Sequence, residues 1–95
     1  MTYDEVLISL SEPTPPPNLP PLIAALWWDA KGDWNRAHEI AQAIVSKEGA
    51  RVHAYLHRKE GDAWNAGYWY RQAGEPHSQL SSDEEWKQIV RDTLG

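Results

Sequence analysis

Apolar residues recur every three or four positions along most of this chain, the spacing that lines one side of an α-helix. Between Asp33 and Gly49 they are Trp34, Ala37, Ala41, Ile44 and Val45, which predicts one amphipathic helix capped by Asp33 and ended at Gly49. Just before it, the run from Leu22 to Lys31 reads as a helix entered through Pro20 and Pro21, with Asn18 as N-cap and Gly32 as stop. The same grammar returns downstream: a helix at about 50–60, the turn Gly61-Asp62, a helix at about 63–73, and Gly74 as a stop with Pro76 just beyond. Ser81 and Ser82 stand three residues before Glu84 and Glu85, forming two overlapping capping boxes ahead of Trp86, Ile89, Val90 and Leu94 at helical spacing. That last helix is expected to cover an open end of the preceding ones.

The N-terminus follows different rules. Thr2 and Glu5 form a capping-box signature, and Val6, Leu7 and Leu10 share one side, so residues 1–12 read as a short helix or, alternatively, as an extended segment with an edge strand over 5–10. Six of the seven prolines fall between Pro13 and Pro21, where missing N–H groups predict a stiff polyproline II connector. Its PxxP spacing lacks a flanking arginine, which favours a linker over a ligand for an SH3-type domain. The expected organisation is a segment 1–12, a Pro-rich linker 13–19 and a single all-α domain over 20–95, with residues 13–19 dispensable to its stability.

Composition narrows the function classes. In 95 residues there is no cysteine, which excludes a disulfide framework, a thiol nucleophile and thiolate metal sites. No apolar run approaches the ~18 residues of a membrane span. Met1-Thr-Tyr-Asp-Glu5 lacks the basic start of a secretory signal, so the cytoplasm is the expected location. The net charge of −5 comes from the chain ends, where Asp4, Glu5, Glu12, Asp83, Glu84, Glu85 and Asp92 face only Lys87 and Arg91. Residues 29–75 are balanced, so no concentrated positive field is available for nucleic acid. No nucleophile elbow or glycine-rich phosphate loop occurs, and the chain reads as a non-enzyme.

Shifting the chain by 29 residues aligns Ala25 with Ala54, Gly32 with Gly61, Asp33 with Asp62 and Ala37 with Ala66, while Ile23/Val52 and Trp27/Leu56 stay apolar. The identities fall where a helix hairpin needs a small residue, a turn and a cap. Lys31-Gly-Asp-Trp-Asn-Arg-Ala37 and Glu60-Gly-Asp-Ala-Trp-Asn-Ala66 resemble the tetratricopeptide-repeat turn, and Tyr70 and Ala73 fit later positions of that repeat. The central chain also resembles a group of short, uncharacterised bacterial proteins whose cores read like Val52-His-Ala-Tyr-Leu-His-Arg-Lys-Glu-Gly-Asp62. The resemblance covers residues 20–76 and implies two tetratricopeptide-like hairpins, to which the helix read from Ser81 onward adds a cover. The period is shorter than the usual one of about 34, and three repeats normally make a stack, so a compact globule is expected instead of a long groove.

Three groups of side chains could carry function. By the resemblance, Arg51, Tyr55 and Arg58, with Leu22, Leu26 and Asp29 on the first hairpin, line the concave partner-binding side. Two guanidinium forks beside a phenol suit an anionic group, so the expected partner is a protein or acidic peptide. The alternative is a solvated stripe that pairs with the acidic ends. The six tryptophans, among them the adjacent Trp27 and Trp28, serve first as core, yet neighbouring rings point about 100° apart, so some aromatic surface is expected to meet a partner or a second copy in a homodimer. His53 and His57, possibly with Glu60, form a third stripe that could direct two imidazoles at one ligand or metal. Two ligands do not make a site, His38 reads as a core histidine and His77 as a loop residue, and no metal or cofactor is expected.

Overall fold

Gly32 and Gly61 adopt φ of 88° and 93°, a left-handed conformation open to glycine and strained for other residues. Each closes a helix with the same two bonds: Gly32 N donates to Asp29 O and Asp33 N to Trp28 O, while Gly61 N donates to Arg58 O and Asp62 N to His57 O. The next helix is then capped from the same position, Asp33 accepting from Arg36 N and Asp62 from Asn65 N. The repetition read from the sequence is therefore present bond for bond at the turns, 29 residues apart.

The structure is a computed structural model describing Met1–Gly95, and it is all-α with six helices and no strand. These are α1 (Tyr3–Ser9), α2 (Pro21–Ala30), α3 (Trp34–Gln42), α4 (Lys47–Lys59), α5 (Ala63–Ala73) and α6 (Ser82–Leu94). α2 packs on α3, α3 on α4 and α4 on α5, while α6 lies against α2 and α4. The main core joins Ile23, Leu26, Val52, Leu56, Ile89 and Val90, and Trp86 Nε1 donates to Leu26 O at 2.8 Å. No helix is long and apolar enough to cross a membrane.

Three local expectations are corrected. The helix begun at Trp34 ends at Gln42, and α4 starts at Lys47, because Ser46 breaks the run and caps α4 by accepting from Gly49 N at 2.9 Å. Gly49 is thus inside α4; a Cβ there would stand 2.2 Å from the Ile44 carbonyl oxygen, so only glycine admits this close turn. Val45, placed by the break outside any helix, is 99% exposed instead of core. Asn18 is not the N-cap of α2: it has φ 68°, and Pro20 holds that position without a side-chain bond.

The N-terminal segment forms the capped helix α1, with both capping-box bonds made, and it is not separable from the core. Val6 is fully buried, Ser9 Oγ accepts from Trp27 Nε1 at 3.1 Å, and Lys31 Nζ donates to Leu10 O. Residues 13–19 form no helix and are exposed or half-buried, with Leu19 at their end packed against the main core. Deleting residues 1–17 is expected to lower stability by about 3 kcal/mol, from the lost burial of Val6 and an indole N–H left without its partner. Urea denaturation of the truncated and full chains would measure it; coincident curves would show α1 to be dispensable after all.

Candidate metal centre

The α-helical step places His53 and His57 one turn apart on α4, on the side against which α3 packs. α3 then brings His38 across, with its Nε2 2.9 Å from His53 Nε2. One ring nitrogen from each of the three histidines lies within 4.8 Å of the other two. His53 and His57 are buried and His38 is half-buried.

Neighbouring groups hold the rings in place. His57 Nδ1 lies 2.7 Å from Glu60 Oε2, so this nitrogen carries a proton and donates to the carboxylate. Trp34 stacks on His38 with ring centroids 4.8 Å apart, and its Nε1 is fixed by Leu56 O at 2.8 Å. Trp69 stacks on His53 at 4.0 Å. Burial, followed by the charges of His38 and His57, lowers the His53 pKa from the ordinary value near 6.5 to about 4. His38 is also lowered, first by burial and then by His57. Near neutral pH, His38 and His53 are accordingly uncharged, and one Nε2 donates to the other, so a metal taking both requires that ring to carry its proton on Nδ1 instead.

A second group, His57 with Glu60 and Asp62, has its ligand atoms equally close, but its carboxylates are already committed. Glu60 orients His57, and Asp62 accepts from Asn65 N and Asn65 Nδ2 as a helix cap. Both carboxylates of this group therefore already have hydrogen-bond partners.

The chain matches no family model, no curated protein and no solved structure. What the site can do is therefore read from its own geometry.

The residues expected to bind an acidic partner are placed otherwise. Leu26, Asp29 and Tyr55 are buried and Leu22 half-buried on the side where α6 packs against α2 and α4, while Trp27 is buried with its Nε1 on Ser9 of α1 and Trp28 is half-buried. Tyr55 Oη donates to Asp29 Oδ2 at 2.6 Å and Lys59 Nζ to Asp29 Oδ1 at 2.9 Å. Arg58 Nε donates to Glu85 Oε1 at 3.1 Å, and Arg51 donates to Asp92 and Gln88. The acidic C-terminal helix supplies the anions, as the pairing alternative held. Trp28 stands edge-on to Trp27 with the Arg36 guanidinium 4.3 Å over its ring.

The sequence reading found two of the three histidines and the supporting Glu60. It missed His38, whose available signal was its place one turn after Trp34 on the helix preceding α4.

Proposed function

We propose that this protein binds a divalent transition-metal ion through His38, His53 and His57. The observation that carries this reading is the convergence of three ring nitrogens within 4.8 Å in a largely buried pocket. Imidazole donors without thiolate suit zinc, copper, nickel or iron. Nitrogens bound to tetrahedral zinc at 2.0–2.1 Å stand about 3.3 Å apart, so the His38–His53 pair at 2.9 Å would open by a few tenths of an ångström while the His57 nitrogen, within 4.8 Å, would close in. Glu60 supports the assignment, since a ligating histidine normally gives its other N–H to a carboxylate or carbonyl.

Titrating Co(II) or Zn(II) into metal-free protein, followed by calorimetry, is expected to show one ion per chain. At free metal a hundredfold above Kd the protein should gain about 2.7 kcal/mol in unfolding free energy. No binding heat and no shift in melting would overturn the reading.

A second reading, a protein- or peptide-interaction module, is supported by Trp64 and Tyr68, which lie one turn apart on α5 and are 77% and 40% exposed. On this reading the contact surface is the outer side of α5, with another protein or a second copy as partner. Trp64→Ser with Tyr68→Ser should then abolish partner recovery or self-association at unchanged melting temperature; retention of both would remove this reading.

A further inference from the structure

Building on the metal-binding reading, we infer that the centre is open: its metal keeps an exchangeable coordination position that takes the carboxylate of a small molecule with a short apolar tail. The ligand count comes first. No fourth histidine, aspartate or glutamate stands with His38, His53 and His57, and the chain has no cysteine. The nearest acids are spent, Glu60 on His57 Nδ1 and Asp62 on the α5 cap. Three protein ligands leave at least one position of a tetrahedral ion to an outside donor. Solvent reaches the cluster through His38, its half-exposed member.

The space beside the cluster indicates what that donor is attached to. His53 also lines a cavity of about 280 Å³ whose other walls include Ala41, Ile44, Ala50 and Trp69, with Gln42 and Gln72 as polar members. Its existence depends on Gly49, which lets the Ile44 carbonyl fold against α4. A cavity of this volume sits at the lower limit for ligand pockets and accepts a body of a few carbons. Apart from His53, no acidic or basic side chain lines it. A divalent ion held by three neutral imidazoles therefore retains its double positive charge, which favours an anionic head on the incoming molecule.

The test uses full-length protein loaded with Co(II), whose visible bands report coordination, and the probes azide, acetate and valerate. All three should shift the bands at saturation, with valerate binding at least about tenfold tighter than acetate, because its extra methylenes leave water for the cavity. In Ala50→Leu, where a larger side chain enters the cavity, Co(II) affinity should stay within about twofold while the valerate preference disappears. Bands unmoved by any probe, with Co(II) still bound, would overturn the open position and leave the metal reading intact. Equal binding of acetate and valerate to the unaltered protein would overturn the cavity's part, independently of how Ala50→Leu folds. Failure to bind Co(II) at all would overturn both the inference and the reading beneath it.

Discussion

Replacing His53 with alanine is expected to lower Co(II) or Zn(II) affinity by more than about a hundredfold. Removing a group that merely orients a ligand costs about 10–100-fold, and on the proposed reading His53 is itself a ligand, with its Nε2 2.9 Å from that of His38. Glu60→Gln, which keeps shape and weakens acceptance from His57 Nδ1, should fall inside that 10–100-fold range. Proton competition gives a further signature. With a pKa near 4, His53 takes up almost no proton between pH 6.5 and 5, so affinity over that interval should fall by at least one proton fewer per pH unit than three ordinary imidazoles would give. In metal-free protein, the unfolded chain protonates His53 near 6.5 and the folded chain only near 4. Its contribution to stability is thus complete above 6.5 and lost as pH falls toward 4; His53→Ala should remove that slope. Affinity unchanged in His53→Ala would dismiss the centre.

Arg58→Glu should destabilise the fold by about 3–5 kcal/mol, the cost of leaving a buried charge without its partner. Glu85, 2% exposed, accepts from Arg58 Nε and from the Tyr70 hydroxyl, and the reversal would set a second carboxylate against it. Because whole domains are stable by only about 5–15 kcal/mol, a large part of the population would unfold on mild heating. Arg51→Glu supplies the contrast: its partner Asp92 is exposed, so the loss should stay within about 1 kcal/mol. Placing Glu85→Lys in the Arg58→Glu background should recover part of the loss. Denaturation midpoints followed by circular dichroism decide the matter, and an unchanged midpoint for Arg58→Glu would mean that α6 does not lie across α4. The two arginines read from the sequence as one exposed binding face thus separate into a buried tie and a surface pair.

The helices and turns were legible from Trp34, Gly61, Asp62, Ser81 and their neighbours because those signals act over a few residues. An aspartate three before a free N–H caps a helix wherever the helix ends up, and a glycine at positive φ ends one. The break at residues 43–46 was not legible: Ile44 and Val45 continue the apolar spacing, while the deciding contact, Gly49 against the Ile44 carbonyl, exists only once the turn is folded. For α6, the sequence determined a capped amphipathic helix and its acidic side. Tertiary packing decided where it lies, and in doing so converted Arg51, Tyr55 and Arg58 from a site for an outside anion into partners of Asp92, Asp29 and Glu85. The histidines divide in the same way. His53 and His57 share a face by the helical step alone, a property of four residues of sequence. His38 reaches them only because α3 packs on α4, and long-range packing of this kind is set by the shape and burial of whole helix surfaces, which no local spacing encodes.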